Sequence, residues 1–357
     1  MSMPEDLAEP ASLPAHRERT AERRSRRELF RQPADRAVYS AIDLGTNNCR
    51  LLIARPMRRG FRVIDAYSRI VRLGEGLTKS GQLSDAAMTR AIEALAVCAE
   101  KIRRRKVTCM RAVATEACRS ATNREDFIAR VRAETGLILD VIPPAEEARL
   151  AVAGCQTLFD PRHSHALVFD IGGGSTEFIL VARQGRNRLR ILGWTSLPFG
   201  VVSLAERHGI RDIDPAVYEE MVSGVTSGLA AFEQTTGLRT LMRRNRVQLL
   251  GTSGTVTTLA SVALGLPHYD RNRVDGAWID GAVMHSLARR VALMSHAERI
   301  CLPCIGEERA DYVVSGCAIL DALFRIWDFG RLRVADRGIR EGVLRGLMGE
   351  DSVSGPR

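Results

Sequence analysis

Short apolar runs and longer amphipathic segments alternate along residues 38–348. Runs rich in β-branched and apolar residues predict strands, and these fall at residues 38–44, 50–54, 61–67, 107–115, 137–142, 166–169, 176–181, 188–196, 247–250 and 332–334. Apolar positions three and four residues apart predict helices. These fall at residues 84–105, 123–136, 214–236, 256–264, 280–294, 307–327 and 338–348, with another beginning at residue 144. This order predicts a mixed α/β protein.

Two of the predicted hairpins repeat one pattern. In residues 38–54, the first hairpin, a strand ends near Asp43 and a Gly-Thr turn leads into the next strand. In residues 166–182, the second hairpin, a strand ends at Asp170 and three glycines precede the next strand. Neither turn opens a helix, so neither has the form of a Walker loop or a dinucleotide-binding fingerprint. Glycine turns let backbone N–H groups surround an anion, and an acid at the end of a buried strand is suited to a hydrated divalent cation. The repeat predicts two related domains that face one ligand.

Two further segments carry candidate chemistry. Residues 251–255 (GTSGT) place glycines and hydroxyls where a strand meets a predicted helix, and helix N-termini bind anions. Glu146 and Glu147 lie in the first turn of the helix that begins at Pro144, where acids also interact favourably with the helix dipole. That structural role is sufficient to explain Glu146.

The charge of the chain favours a polyanionic partner. At 357 residues the chain is long enough for two domains. Its net charge of +10 comes almost entirely from arginine, since Lys79, Lys101 and Lys106 are the only lysines. Arginine binds phosphate oxygens in a bidentate manner, although a GC-rich genome would produce the same bias toward arginine.

The two ends of the chain are predicted to be unstructured. Residues 1–36 are rich in proline and arginine and poor in large apolar residues, a composition typical of a disordered extension. Their eight arginines nearly balance seven acids, which favours a solvated extension over a nucleic-acid-binding arm. Residues 350–357 are predicted to be frayed.

Neither a membrane span nor a zinc site is expected. No apolar run reaches the ~18 residues that a membrane span requires, and the N-terminus lacks the apolar core of a signal peptide, so a cytoplasmic protein with reduced thiols is predicted. Of the eight cysteines, only Cys301 and Cys304 have metal-ligand spacing. A zinc site would need a second such pair or a nearby histidine pair at motif spacing.

Four motifs occur in a fixed order along the chain. They are residues 43–47 (DLGTN), 146–150 (EEARL), 170–177 (DIGGGSTE) and 251–255 (GTSGT). Together they resemble the exopolyphosphatase and guanosine-pentaphosphate phosphohydrolase family, which belongs to the superfamily of actin, sugar kinases and heat-shock chaperone ATPases. Further matches lie at residues 72–77 (RLGEGL), 112–119 (AVATEACR), 308–311 (ERAD) and 336–342 (DRGIREG). The resemblance therefore covers residues 38–348.

The resemblance implies two duplicated actin-like (ribonuclease H-like) domains with a cleft between them. Residues 37–158 would form domain I, to which a C-terminal helix at residues 336–349 would return, and residues 159–335 would form domain II. The chain resembles the short form of the family, which lacks the C-terminal helical domains of the long form. A homodimer is also implied.

The resemblance further implies roles for individual residues. Glu147 would be the base that activates the attacking water. Asp170 and Glu177 would be catalytic acids that bind a divalent cation, for which Mg²⁺ fits. Asp43 occupies the matching point of the first hairpin, where it would either share the metal or order the loop. The residues expected to bind phosphate are Gly45, Thr46, Asn47, Asn48, Arg119, Gly172, Gly173, Gly174, Ser175, Gly251, Thr252, Ser253 and Gly254. The chain departs from its relatives at Asn48, where many have serine, and at Ser203, where arginine is frequent.

Four functions follow as hypotheses. The leading one is an exopolyphosphatase, which hydrolyses the terminal phosphoanhydride of inorganic polyphosphate and releases orthophosphate. The closest alternative keeps this chemistry and acts on the 5′-phosphate of guanosine pentaphosphate (pppGpp). A basic channel would favour the polymer, and a purine pocket near residues 251–255 would favour the nucleotide. An ATPase or kinase of the same superfamily and a weakly catalytic polyanion-binding protein are the other two.

Overall fold

The computed structural model describes residues 37–349, apart from 59, 186, 187, 210 and 245, together with residues 353 and 354. The predicted extension at residues 1–36 lies outside them. The described strands form two sheets. The first contains β1 (Tyr39–Leu44), β2 (Asn48–Pro56), β3 (Phe61–Ile70), β4 (Cys109–Ala114) and β5 (Leu139–Val141). The second contains β6 (His165–Ile171), β7 (Thr176–Gln184), β8 (Arg188–Leu197), β9 (Val247–Thr252), β10 (Trp278–Asp280), β11 (Arg331–Ala335) and β12 (Val353–Ser354).

The two sheets share one topology. The strand order of the first sheet is β3-β2-β1-β4-β5, and the second sheet contains the equivalent order β8-β7-β6-β9-β11. In each sheet, the first three strands of this order are antiparallel and the last two run parallel to the central strand. Strands β10 and β12 extend the two edges of the second sheet. This internal repeat places Asp43 on β1 and Asp170 on β6 at equivalent positions.

Fifteen helices connect the described strands. They are α1 (Leu77–Ser80), α2 (Asp85–Arg104), α3 (Glu116–Ser120), α4 (Arg124–Thr135), α5 (Pro144–Cys155), α6 (Val201–His208), α7 (Pro215–Thr236), α8 (Leu238–Arg243), α9 (Gly254–Ala263), α10 (Arg271–Val274), α11 (Gly281–Ala292), α12 (His296–Cys301), α13 (Gly306–Ala310), α14 (Val313–Ile326) and α15 (Ile339–Leu347). Their ends follow local chemistry. The Ser84 side chain accepts a hydrogen bond from the Ala87 N–H and caps α2, and Gly136 ends α4 in the left-handed region at φ 72°.

Helix α5 lies between the two sheets. Ala148 and Val152 on α5 join an apolar cluster with residues of the second sheet. Leu150, on another face of α5, joins an apolar cluster with Ala41 and Leu52 of the first sheet. A single helix therefore contributes to both cores, which fixes its first turn relative to both sheets.

Helix α15 returns to the first sheet and packs against α5 and β1. The two helices approach each other at backbone distance. A Cβ atom built on Gly342 would lie 2.1 Å from the carbonyl oxygen of Leu150, and one on Gly154 would lie 2.0 Å from that of Gly338. Real Cβ atoms do not approach backbone this closely, so both positions require glycine.

Three sequence predictions differ from the structure. The predicted helix 307–327 is divided into α13 and α14, with Asp311 and Tyr312 between them. The sequence did not indicate this break, because the apolar periodicity continues across it. The predicted strand 247–250 extends to Thr252, since β9 pairs with β6 as far as that residue. Val353, predicted to be frayed with the rest of residues 350–357, pairs with Leu189 of β8.

The sequence analysis also missed the shortest elements, α1, α3, α6, α8, α10, α12 and β10, which carry too few residues to show a period. As the sequence suggested, none of the helices in the described part of the chain is long and apolar enough to cross a membrane.

Candidate active site

A cavity of about 570 Å³ lies where the first and second hairpins meet. Both turns contribute to its wall. The lining residues of the two hairpins are Asp43, Gly45, Thr46, Asn47, Asn48, Arg50, Asp170, Ile171, Gly172, Gly173, Gly174, Ser175 and Glu177. Residues that are distant in sequence therefore face one space, as the repeated pattern led us to expect.

The two turns touch each other at the cavity wall. A Cβ atom on Gly173 would lie 2.9 Å from Thr46 Cβ and 3.2 Å from the Asn47 nitrogen, and one on Gly174 would lie 2.8 Å from Thr46 Oγ1. Gly200 lies against the backbone of Gly173, where a Cβ atom would lie 2.3 Å from the carbonyl oxygen. A side chain at Gly173 or Gly174 would separate the two hairpins, and one at Gly200 would displace the second turn.

Hydrogen bonds hold both turns in shape. The Gly45 N–H donates to the Asn48 carbonyl oxygen at 2.9 Å, and the Gly172 N–H donates to the Ser175 carbonyl oxygen at the same distance. The Ser203 hydroxyl donates to the Gly174 carbonyl oxygen at 3.1 Å. Ser203 therefore supports the second turn.

Two aspartates at the ends of central strands face the cavity. Burial raises the pKa of Asp170 to about 8, and the neighbouring carboxylates of Glu177 and Asp43 contribute to the rise. Burial also raises the pKa of Asp43, against the opposing effect of Arg50 and Arg340. A cation bound in the cavity would stabilise the ionised form of both acids.

Glu177 is buried opposite Asp170 on β7. Its Oε1 accepts hydrogen bonds from the Ser175 hydroxyl at 2.8 Å and from the Ser196 hydroxyl at 2.7 Å. Burial raises the pKa of Glu177, and these two hydrogen bonds oppose the rise. The serines fix one carboxylate oxygen and leave the other free for a ligand.

Glu147 lies in the first turn of α5, is 7% exposed and lines the cavity. Burial raises its pKa well above the usual range, repulsion from Glu177 adds to the rise, and Arg119 opposes it. A raised pKa suits a carboxylate that has to take a proton near neutral pH. Its neighbour Glu146 instead pairs with Arg111 and Arg149, in keeping with the structural role that the sequence favoured.

Arg119 does not line the cavity among the described residues. Its guanidinium donates to Glu147 Oε2 at 3.1 Å and to the carbonyl oxygen of Ile142 at 2.8 Å. Its Nε and Nη2 both donate to Glu116 Oε2. This geometry directs the guanidinium at carboxylates and not into the cavity. The phosphate contact expected of Arg119 stays a prediction.

Only part of the third predicted anion site reaches the cavity. Ser253 and Gly254 line it, and the Ser253 side chain accepts a hydrogen bond from the Val256 N–H at 3.1 Å at the start of α9. Gly251 and Thr252 do not line it, and the phosphate contact expected of them stays a prediction. Both belong to β9; a Cβ on Gly251 would collide with the Phe169 ring, and Thr252 donates to the Arg337 carbonyl oxygen.

Ser253 adopts φ 144°, a region that side chains rarely occupy and that costs of order 1–3 kcal/mol. Strain of this kind is tolerated where the surrounding structure enforces it, and here the residue joins the end of β9 to α9, a helix that contributes Gly254 and Thr258 to the cavity wall.

Several lining residues were missed by the sequence analysis. They are Ser68, Thr115, Glu116, Thr258, Arg309 and Tyr312. Arg309 donates to Thr258 Oγ1 at 2.6 Å, so this wall is also ordered by side-chain contacts. The sequence could have indicated Arg309, because it lies in one of the family motifs, whereas Ser68 and Tyr312 belong to no quoted motif.

The described part of the chain contains no group of three or more His, Cys, Asp or Glu side chains arranged to hold a metal ion. Asp43, Asp170 and Glu177 therefore do not form a complete protein cage. Mg²⁺ usually binds through one or two carboxylates and keeps water and substrate phosphate as further ligands. The mutually repelling carboxylates of this cavity fit such a partly hydrated ion.

The chain is similar to several known proteins over most of its length. The model of the Ppx/GppA phosphatase family matches residues 52–351. Exopolyphosphatase 2 of Mycobacterium tuberculosis is 30% identical over 323 residues, which cover 87% of this chain and 98% of that protein. A solved exopolyphosphatase from Cytophaga hutchinsonii superposes with a TM-score of 0.78 at 25% identity, covering 89% of this chain and 100% of that chain. A Ppx/GppA family member from Aquifex aeolicus superposes with a TM-score of 0.73 at 27% identity, covering 89% and 99%. The family model therefore spans the second sheet as far as β11 and every cavity-lining residue from Ser68 onward.

Proposed function

Because the chain belongs to the Ppx/GppA phosphatase family, we propose that it is an exopolyphosphatase, which hydrolyses the terminal phosphoanhydride of inorganic polyphosphate. One observation carries this proposal. The backbone turns of two repeated hairpins and the carboxylates of Asp43, Glu147, Asp170 and Glu177 converge on one cavity. Phosphoanhydride hydrolysis needs anion binding and a group that orients water, and the cavity offers both.

The reaction assigns a task to each part of the cavity. The N–H groups of Gly45 and Gly172 close the two turns, and the other N–H groups of these turns bind the terminal phosphate from opposite sides. Glu147 accepts a proton from the water that attacks the terminal phosphorus, and the bond to the bridging oxygen breaks as orthophosphate is released. Asp170 and Glu177, with Asp43, would hold Mg²⁺, which supplies neutralisation of charge on the phosphoryl oxygens when bound.

The second candidate substrate is guanosine pentaphosphate. The observation that favours it is that Tyr312 and Val313 line the same cavity as the two turns and Ser253, since an aromatic and an apolar side chain in that cavity could contact a purine. The polymer is favoured by the named exopolyphosphatases among the relatives. A cytoplasmic location, a homodimer and the absence of nucleic-acid binding remain predictions from the sequence.

Phosphate release by the purified protein with MgCl₂ tests the proposal. Long-chain polyphosphate, tripolyphosphate, guanosine pentaphosphate and ATP are compared at equal concentrations of terminal phosphate, with Glu147→Gln as the control that lacks the base. Faster release from polyphosphate supports the exopolyphosphatase. Preference for the nucleotide supports the second candidate, and faster turnover of ATP would indicate an ATPase or kinase of the same fold. Binding of polyphosphate with no phosphate release above the Glu147→Gln control would indicate a polyanion-binding protein.

A further inference from the structure

The Arg119 side chain lies behind Glu147 and is engaged by three neighbouring groups. Its Nη1 donates to Glu147 Oε2 at 3.1 Å and to the carbonyl oxygen of Ile142 at 2.8 Å. Its Nε and Nη2 donate to Glu116 Oε2 at 3.1 Å and 2.5 Å. All three guanidinium nitrogens are therefore used by protein groups.

Glu116, and not Arg119, faces the ligand. Glu116 and Glu147 line the cavity, whereas Arg119 is not among the lining residues that the structure describes. The Arg119 side chain is 17% exposed and that of Glu147 is 9% exposed, so water screens this ion pair much less than it screens pairs on the surface. To reach a phosphate, Arg119 would have to release both carboxylates.

The contact with Ile142 shows what the arginine restrains. Ile142 directly precedes Pro143, the residue that caps α5, and Glu147 lies in the first turn of that helix. Arg119 thus ties the Glu147 carboxylate to the backbone at the start of its own helix. Without Arg119, the Glu147 carboxylate would face the repulsion of Glu177 with no cationic partner among the described side chains.

We propose that Arg119 is a positioning residue: anchored by Glu116, it orients the Glu147 carboxylate toward the attacking water and affects hydrolysis through Glu147, without touching the phosphate. This inference rests on the proposed function only in that Glu147 is the base. It assigns Glu116 a role as well, since this cavity-lining carboxylate keeps the arginine out of the ligand space.

A double-mutant cycle tests the proposal. Arg119→Gln is made in the wild-type and in the Glu147→Gln protein, and kcat and KM are measured for tripolyphosphate and long-chain polyphosphate. Loss of an oriented base costs about 10²-fold or more, so Arg119→Gln is expected to lower kcat by about that factor and to change KM by less than about threefold. In the Glu147→Gln background it should lower the residual kcat by less than about threefold, because residues that act as a unit are not additive.

The matched control is Arg111→Gln. Arg111, on β4, pairs at 2.7 Å with Glu146, the neighbour of Glu147 in the first turn of α5, and at 2.8 Å with Asp140. Neither Arg111 nor Glu146 lines the cavity. This variant loses an arginine–glutamate pair next to Glu147, together with the pair to Asp140, and should leave kcat within about twofold. Arg119→Lys keeps the positive charge but not the planar guanidinium that reaches both carboxylates, so about a tenfold loss of kcat is expected. If Arg119→Gln does not fold, Arg119→Lys takes its place in the double-mutant cycle.

An Arg119 side chain that bound the phosphate directly would give a different result. Its replacement by glutamine would raise KM by about tenfold or more, equally in the wild-type and Glu147→Gln proteins, and that result would overturn the proposal. The dissociation constant of tripolyphosphate for the Glu147→Gln protein gives a second readout that needs no turnover. Adding Arg119→Gln should change it by less than about threefold, and a tenfold weakening, about 1.4 kcal/mol, would again overturn the proposal. If the wild-type protein hydrolyses only guanosine pentaphosphate, the proposed function fails while the same cycle on that substrate still decides the role of Arg119.

Discussion

The backbone contact between α5 and α15 makes a sharp prediction for Gly342→Ala. The new methyl group would lie 2.1 Å from the carbonyl oxygen of Leu150, 2.8 Å from its carbonyl carbon and 3.0 Å from its Cα. All three are backbone atoms, so no rotamer change can relieve the overlap. The helices would have to separate by about 1.4 Å to restore an ordinary contact of about 3.5 Å.

The expected cost follows from two opposing effects. Overpacking of a tightly packed interior typically costs about 1–3 kcal/mol, and an unyielding backbone partner places this site at the upper end. Replacing glycine by alanine inside a helix contributes about 0.5–1 kcal/mol in favour of folding. The net change is a loss of about 2 kcal/mol, or roughly 4–8 °C in melting temperature for a domain of this size.

Gly346→Ala is the matched control on the same helix. A Cβ atom there would meet no heavy atom within 4 Å, and Gly346 is exposed. This variant receives the helix-propensity gain without the overlap, so its melting temperature should stay at or above that of the wild type. Thermal and urea unfolding of the two variants side by side give the measurement. If Gly342→Ala melts as high as Gly346→Ala, the backbone contact does not constrain the two helices and the argument is wrong.

Two other changes have definite outcomes. The raised pKa of Asp170 means that the carboxyl group binds a proton more tightly in the folded state than in the unfolded chain. The protonated carboxyl therefore contributes its full stability below about pH 4, and this contribution to the free energy of unfolding is lost as pH rises toward about 8. In EDTA, the stability gained by Asp170→Asn should therefore grow across that interval in melting curves, and a gain independent of pH would contradict it. Gly173→Ala would place a methyl group 2.9 Å from Thr46 Cβ, and separating the turns should lower kcat by about tenfold or more; unchanged turnover would show that their contact is dispensable.

The hairpins and the order of elements could be predicted because their signals are local. A strand ending in Asp43 or Asp170 and followed by glycine is visible in a few residues, and the repeat of that pattern indicated the duplicated fold. The resemblance to the family then indicated that the two halves face each other across a cleft. The α/β class and the duplicated architecture are confirmed by the matching strand orders of the two sheets and by the solved structures of relatives.

The polar contacts inside the site could not be predicted in the same way. Arg119 and Glu147 are separated by 28 positions, and periodicity reports which side chains are buried but not which charged groups meet. The motif assigned Arg119 to phosphate, while the fold placed Glu116 and the Ile142 carbonyl within its reach. The break before Tyr312 was hidden for a related reason, since apolar spacing continues through it.

Gly251 and Thr252 illustrate a second limit. A strand followed by glycines and hydroxyls looks like a loop in sequence, but β9 continues through both residues because a ladder partner on each side is available. Whether a glycine belongs to a turn or to a strand depends on neighbours that are remote in sequence.

The return of α15 to the first sheet has a consequence for how the protein is made. The helix covers the face of that sheet that contains Ala41, Leu52 and Val113, yet it is the last helix of the chain that the structure describes. At about 5–20 residues per second, a ribosome needs about 10–40 s to reach residue 347 after it has completed β5. Throughout that interval α15 is not available to bury the apolar face of the first sheet in the nascent chain. The first sheet to be synthesised is therefore among the last parts of the molecule to complete its packing.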